Sequence, residues 1–233
     1  MHHNDLVDCI YRNFGGLKVP LSQSSFKIFF EQAHSSELDQ RLCSLPTSMD
    51  LITGNLRDCS CRHLMLITQG DSVVNLVGDF FERAGVTSYR VMVGSKLKGD
   101  LNSEGARYRA LSEIILSMER GESLALQNLD SIYNSLYDML NQNYTVVAGK
   151  KNCRVALGAF SNPMAHVHDS FKCIVIVDEA SFSTMDPPFL NRFEKQVLNF
   201  ESLLSQVNHK PIEVIFPYIT YIFPGMCRNK RMC

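Results

Sequence analysis

The sequence lacks any marked excess of one charge, since 23 Lys and Arg stand against 24 Asp and Glu in 233 residues. Without a basic surplus the chain has no net field to hold a phosphate backbone by counterion release, so we expect no nucleic-acid partner. It also lacks an apolar run of the ~20 residues that a membrane-spanning helix needs, and no transmembrane segment is expected. Internal repeats and low-complexity blocks are missing as well, which excludes a repeat architecture.

Targeting and metal-binding signals are missing too. The first five residues lack the charged and apolar regions of a secretory signal peptide. Eight cysteines are scattered, several of them inside apolar runs, which favours a reducing cytoplasm over a disulfide framework. Neither Cys59 and Cys61 nor Cys153 with His166 and His168 shows the paired spacing of a zinc site, so we expect no bound metal.

The length and composition fit one α/β domain with flanking pieces. Hydrophobic residues make up 45% of the chain, enough to bury a core. Residues 1–50 contain short amphipathic stretches broken by glycine and proline, which predict a helical lead-in. Prolines interrupt the aromatic-rich run at 215–223, so residues 205–233 are predicted to be an irregular apolar tail. The domain itself is expected at 51–204.

Short apolar runs alternate with helical patterns inside this domain. Strands are predicted at His63–Thr68, Tyr89–Val93, Ser123–Gln127, 171–177 and 196–200. Helices are predicted near 73–81, at Glu104–Arg120, at 132–141 and around 189–193. Because parallel strands cannot be joined by a tight hairpin, this alternation predicts a three-layer α/β fold with a parallel five-stranded sheet between helices.

The turn after the first strand does not have the composition of a phosphate-binding loop. Such a loop, G-x-x-x-x-G-K-[ST], uses glycines to let backbone N–H groups surround phosphate and a lysine to reach the terminal phosphates. Here the turn is Gln69, Gly70, Asp71 and Ser72, with one glycine and no lysine. The carboxylate of Asp71 would repel phosphate. We interpret this turn as a degenerate phosphate loop.

The ends of the third and fourth strands carry the next candidate residues. In nucleotide-hydrolysing sheets the third strand supplies the magnesium-binding acid and the base, but here it ends in Gln127 and Asn128, whose amides carry no charge. The fourth strand ends in Asp178 and Glu179, which are predicted to be sensor-like residues. Two solvated acids at a strand end are an equally good interpretation of this pair.

Arg192 follows a short helix that begins with two prolines. A guanidinium at this place could reach a neighbouring unit's nucleotide, because its planar fork suits phosphate oxygens. The alternative is a surface arginine paired with an acid, worth about 0–1 kcal/mol. Spacing alone favours the surface interpretation.

Four segments carry a family resemblance. They are a tyrosine-rich helix at 126–142 (LQNLDSIYNSLYDMLNQ), then 168–176 (HDSFKCIVI), 188–195 (PFLNRFEK), and 55–58 (NLRD) leading into 62–68 (RHLMLIT). Together they resemble the mysterin-type giant ring-finger E3 ubiquitin ligases, which are built around a row of AAA+ ATPase units. The similarity covers residues 50–200, and the tyrosine-rich helix is its most specific part.

The resemblance implies a fold of the AAA+, P-loop NTPase-like type and a chain that holds one such unit of a longer protein. Arg192 would then lie at the arginine-finger position and Asp178 near the sensor position. Gln127 and Asn128 would stand where active units have the magnesium acid and the catalytic glutamate. No cofactor is expected in this segment, whereas ATP and Mg would bind other units of the parent and zinc its ring finger.

These observations lead to one preferred hypothesis and two alternatives. The preferred one is a non-hydrolysing AAA+ unit that packs against neighbouring units of the same polypeptide and transmits their motions, in a parent that works with the ubiquitin machinery. The first alternative is an active ATPase unit that uses the two acids of the fourth strand. The second is a stand-alone hydrolase with Cys153 or Cys173 as nucleophile and His166 or His168 as base.

Overall fold

The computed structural model describes residues 12–13, 46–70, 72–95, 103–158 and 161–198. Most of the lead-in predicted for 1–50 and all of the tail predicted for 205–233 lie outside these residues. Helix α1, Ser48–Arg57, crosses the predicted start of the domain at residue 51. The domain boundaries therefore stay predictions.

Strands and helices alternate along the described chain, with a small sheet inserted before the fourth strand of the main sheet. The strands are β1 His63–Thr68, β2 Tyr89–Val93, β3 Ser123–Gln127, β4 Thr145–Val147, β5 Lys150–Arg154, β6 Met164–His166, β7 Cys173–Asp178 and β8 Phe193–Leu198. The helices after α1 are α2 Val77–Ala84, α3 Glu104–Arg120, α4 Asp130–Tyr133, α5 Tyr137–Leu140, α6 Glu179–Phe182 and α7 Pro187–Leu190. Short 3₁₀ turns at Ser72–Leu76 and Asn134–Leu136 lead into α2 and α5.

Five strands form one parallel sheet in the order β2-β3-β7-β1-β8. At the two ends of β1, Thr68 pairs with Asp178 of β7 and His63 pairs with Phe193 of β8. Every residue of β1 is buried, as a strand covered on both faces requires. The predicted architecture, a parallel five-stranded sheet between helices, is confirmed.

The core has one cluster on each face of the sheet. Met65 of β1 packs with Ile114 of α3 on one face. On the other face Leu66 packs with Phe80 and Phe81 of α2. Each of these side chains is at most 1% exposed, and full burial of such a side chain contributes about 1.5–3 kcal/mol before cavity terms are counted. Because successive side chains of β1 point to opposite faces of the sheet, this one strand packs against both helix layers.

The predicted fifth strand, 196–200, is wrong at its start because β8 begins at Phe193. The strand includes Glu194, which is only 4% exposed. Its Oε2 accepts a hydrogen bond of 2.6 Å from the buried Nδ2 of Asn55, and a bonded carboxylate costs far less to bury than an isolated one. The helix expected around 189–193 accordingly ends earlier, at Leu190.

Two further differences concern the stretch between β3 and β7. The helix predicted at 132–141 is interrupted by the 3₁₀ turn Asn134–Leu136, since Asn134 and Ser135 are weak helix formers. The small antiparallel sheet β4-β5-β6 is absent from the sequence-based prediction. Its strands are short and largely polar. The hairpin that joins β4 to β5 has its turn at Ala148 and Gly149, whose φ angles are 50° and 77°.

Candidate functional site

The loop after β1 begins at a buried threonine. Thr68 is 1% exposed, and its Oγ1 donates a 3.1 Å hydrogen bond to the carbonyl of Gly70. Gly70 has a φ of 74°, in the left-handed region that glycine adopts without strain. Asp71 lies outside the described residues, and Ser72 opens the 3₁₀ turn before α2. The loop thus turns tightly at the carboxyl edge of the sheet.

Two acids from the tip of β7 close over this loop. Asp178 Oδ2 accepts a hydrogen bond from the Gly70 N–H at 3.3 Å, and its Oδ1 accepts one from the Ala180 N–H at 2.8 Å, which caps α6. Glu179 Oε2 accepts a 2.8 Å hydrogen bond from Gln69 Nε2. The fold therefore brings together Gln69, Gly70, Asp178 and Glu179, four residues that the sequence analysis assigned to two separate motifs.

The end of β3 lies at the same edge of the sheet. Gln127 is 4% exposed and stands beside Ile176 of β7, two residues before Asp178. Its carbonyl accepts a 2.8 Å hydrogen bond from the Gly94 N–H. Asn128 follows with a φ of 55°, a left-handed conformation that Asn adopts more readily than most residues. The structure thus places both amide residues one strand away from the acids.

Arg192 lies at the amino ends of the parallel strands, whereas these residues lie at the carboxyl ends. It precedes Phe193, which pairs with the first residue of β1, whereas Asp178 pairs with the last. At about 3.3 Å per residue, the length of β1 separates the two edges by ~17 Å. The Arg192 guanidinium stacks on the ring of Tyr137 at 4.3 Å and approaches that of Phe189 at 5.5 Å. Within one chain it does not join the carboxyl-edge residues.

The cysteines and histidines of the hydrolase hypothesis are not assembled into a catalytic pair. Cys153 and Cys173 are at most 1% exposed, and burial raises the pKa of each thiol to about 12. The attacking species in thiol catalysis is the thiolate, which such a pKa suppresses. The Nδ1 atoms of His166 and His168 contact the Lys151 carbonyl and the Ser170 hydroxyl instead.

A buried polar cluster at the amino edge of the sheet was missed by sequence reasoning. Lys172 is 1% exposed, and its Nζ donates hydrogen bonds of 2.9 Å to the carbonyls of Asp58 and Cys61. Burial lowers the pKa of Lys172. The Asp58 carboxylate accepts hydrogen bonds from Cys61 Sγ and from Ser60, which hold the pKa of Asp58 well below its usual range. The lysine beside an otherwise apolar strand was the available signal, because a buried ammonium needs partners.

His63 belongs to the same edge and is fully buried. Its Nδ1 accepts a hydrogen bond from the Cys173 N–H at 3.2 Å, so Nε2 carries the proton and donates to the Met139 carbonyl at 3.2 Å. Burial, with the nearby Lys172 charge, lowers the pKa of His63 to about 3. The ring is therefore neutral, and its two hydrogen bonds connect the start of β1 to Cys173 of β7 and to Met139 of α5.

Metal and membrane features are limited within the described ranges. No group of three His, Cys, Asp or Glu residues there is arranged to hold a metal ion. No helix in the same part of the chain is long and apolar enough to cross a membrane.

The strand order, the tight loop after β1 and the polar residues at the tips of β3 and β7 define an α/β unit of the AAA+ class. Residues 53–204 match the family described as the RNF213 AAA domain. The chain belongs to this RNF213 AAA domain family, which confirms the resemblance drawn from its segments.

Similar proteins are much longer than this chain. A Dictyostelium discoideum protein named as an uncharacterized transmembrane protein is 31% identical over 211 residues, 86% of this chain. The zebrafish E3 ubiquitin-protein ligase rnf213-beta is 28% identical over 220 residues, 90% of the chain, and the human E3 ubiquitin-protein ligase RNF213 is 25% identical over 224 residues, 92% of the chain. The chain spans about 4% of the length of each of these relatives.

Proposed function

We propose that this chain is a non-hydrolysing AAA+ unit that serves as a scaffold or motion-transmitting element in the ATPase core of a longer E3 ubiquitin ligase. The ubiquitin-ligase role comes from the names of the zebrafish and human relatives. Its partners would be the neighbouring AAA+ units of the same polypeptide and, through the parent, the ubiquitin machinery. A cytoplasmic location fits the scattered cysteines.

The observation that carries the proposal is the hydrogen bond from the Gly70 N–H to Asp178 Oδ2. In a phosphate loop the backbone N–H groups point at the bound anion. Here the chain's own carboxylate receives that N–H, and the neighbouring Glu179 holds Gln69 of the same loop. A phosphate bound at this N–H would therefore have to displace the chain's own carboxylate.

Charge supports the same proposal. A phosphate oxygen within about 4 Å of either carboxylate would meet a repulsion of about 4 kcal/mol per pair of unit charges at an effective dielectric constant of about 20. The turn from Gln69 to Ser72 has no lysine to offset this. Gln127 and Asn128 supply neither a charged magnesium ligand nor a base. The residues at the tips of β1, β3 and β7 therefore do not fit Mg-ATP.

A fluorescent-nucleotide titration tests the proposal on the 233-residue chain, on Glu179→Gln and on a control variant, Glu119→Gln, at an exposed acid of α3. Near-ultraviolet circular dichroism verifies that all three proteins are folded. We expect no saturable binding of Mg-ATP up to about 1 mM and no phosphate release in any of them. A dissociation constant of 1 mM or weaker corresponds to a binding free energy of at most about 4 kcal/mol.

The active-ATPase alternative predicts a different pattern. It requires micromolar binding of Mg-ATP and a rate of phosphate release that falls in Glu179→Gln but not in Glu119→Gln. That pattern would overturn the non-hydrolysing proposal and assign the role of base to the acid at the tip of β7.

A further inference from the structure

The strand β2 forms one edge of the main sheet and pairs only with β3 among the described strands. The Ser123 N–H bonds to the Ser88 carbonyl at 3.0 Å, and the Gly94 N–H bonds to the Gln127 carbonyl at 2.8 Å. With the register Val91 to Ala125, these bonds turn the backbone groups of Arg90 and Met92 toward β3. The N–H and C=O groups of Tyr89, Val91 and Val93 therefore face outward, where no described strand meets them.

The side chains of the same three residues are large, apolar and exposed. Tyr89 is 44% exposed, Val91 36% and Val93 55%, and strand alternation puts them on one face. Natural edge strands are usually protected by charged side chains, proline or a bulge. None of these three positions carries a charge or a proline. The charged residue of the strand, Arg90, pairs with Glu122 at 3.4 Å, so the face formed by the three apolar residues lacks the usual protection.

Helix α2 makes one wall of a groove along this edge. The Tyr89 ring stacks on Phe81 with their centroids 4.9 Å apart, and its hydroxyl lies against Gly78, where a Cβ would come within 2.9 Å. The groove has a volume of about 530 Å³. Among its described lining residues the charged ones are Asp79 and Glu82 of α2, both acids. The groove thus combines the apolar side chains of Tyr89 and Val91 with an acidic wall on α2.

We propose that an extended, basic segment of the longer polypeptide docks on this edge by adding a strand beside β2. Alternate apolar side chains of the segment would cover Tyr89, Val91 and Val93, and its Lys or Arg side chains would face Asp79 and Glu82. Strand addition supplies backbone hydrogen bonds, and the pockets for alternate side chains select the sequence. The inference does not depend on whether this unit binds or hydrolyses ATP.

Charge and chain length favour this occupant over a second copy of the chain. Two copies paired through β2 about a two-fold axis would bring the acidic walls formed by Asp79 and Glu82 side by side, and like charges oppose such pairing. The relatives are far longer than this chain, which spans 4% of them. The inference rests on the proposed function in this one respect, that a comparably long parent polypeptide offers ample further sequence. Covalent connection also raises the effective concentration of such a segment.

Photo-crosslinking in the full-length polypeptide tests the proposal. Benzoylphenylalanine replaces Val93, and in a matched control it replaces Val147, an apolar residue of β4 with nearly the same exposure, 56%. Mass spectrometry then identifies the crosslinked peptides. From position 93 we expect one intramolecular segment that alternates apolar and basic residues, and we expect position 147 not to capture it.

A second variant tests the acidic wall. Asp79→Asn combined with Glu82→Gln removes both charges on α2 and should lower the crosslink yield from position 93 about fivefold at low salt, with a smaller effect at 1 M salt. Circular dichroism verifies that α2 remains folded in this variant. Capture of another copy of the chain, capture of an acidic segment, no crosslink, or an unchanged yield in the double variant would overturn the proposal.

Discussion

Acidification from pH 7 to pH 4.5 should lower the free energy of unfolding by about 2.5 kcal/mol through one buried side chain, His63. Nδ1 of the ring accepts the Cys173 N–H and Nε2 donates to the Met139 carbonyl. A second proton would have to bind Nδ1. There it would point at the Cys173 N–H, whose hydrogen bond Nδ1 now accepts. The folded state therefore keeps the ring neutral, and the pKa of His63 is lowered to about 3.

The sign and size follow from linkage between protonation and folding. In the unfolded chain the histidine takes up a proton below its ordinary pKa of 6.5, while in the folded chain it does so only near 3. Between these values the unfolded state binds more protons, so stability is fully present above pH 6.5 and is lost as the pH falls. Well below pH 6.5 the loss is about 1.4 kcal/mol per pH unit. Because the unfolded histidine is only partly protonated near pH 6.5, the slope is smaller there, and the total between pH 7 and pH 4.5 is about 2.5 kcal/mol.

Urea unfolding at closely spaced pH values measures this slope. A His63→Gln variant serves as the control, since it cannot titrate in this range. Its absolute stability will differ because its packing differs, but its slope between pH 7 and pH 4.5 should be shallower by about 1 kcal/mol per pH unit or more. Equal slopes in the two proteins would refute the assignment of a neutral buried ring.

Three other predictions rest on single contacts. Gly121→Ala should lower the free energy of unfolding in urea by about 2–4 kcal/mol, because Gly121 has a φ of 71° and its new Cβ would clash with the Ser170 and His168 side chains. The control Gly85→Ala, at a φ of 78° with open space around it, should cost only about 1–2 kcal/mol. Equal losses in the two variants would contradict the steric argument. In a peptide-mapped thiol-labelling time course, exposed Cys59 should react within minutes while buried Cys153 stays protected, and rapid labelling of Cys153 would revive the hydrolase hypothesis. Arg192→Ala should cost about 0.5–1 kcal/mol through its lost ring stack, and no measurable change would mean that this stack is not maintained in solution.

The bounds of β1, β3 and α3 could be predicted because β1 and β3 are mostly apolar and α3 begins and ends at local capping residues. β1, β2, β3 and α3 have the predicted bounds. The pattern around α3 is typical: a serine precedes it, and Gly121 ends it in the left-handed conformation. Such local signals survive in any tertiary context that buries the same face.

The features that could not be predicted from the sequence depend on polar contacts between residues far apart in the chain. The start of β8 was missed because Glu194 is buried against Asn55, a partner 139 residues away. The hydrogen bond between Gly70 and Asp178 joins residues 108 positions apart, so its loop and its acid could be named separately but not as a pair. Lys172 was missed for the same reason, since its acceptors are the carbonyls at the end of α1 and in the following loop.

The proposed non-hydrolysing role requires that the loop after β1, whose Gly70 N–H is bonded to Asp178, does not take a triphosphate. Urea unfolding of the 233-residue chain with and without 1 mM Mg-ATP measures this directly, because a ligand that binds only the folded state stabilises it by RT ln(1 + [L]/Kd). We predict coincident unfolding curves. A micromolar site would instead raise the free energy of unfolding by about 4 kcal/mol at this concentration, and such a shift would show that the unit does bind the nucleotide.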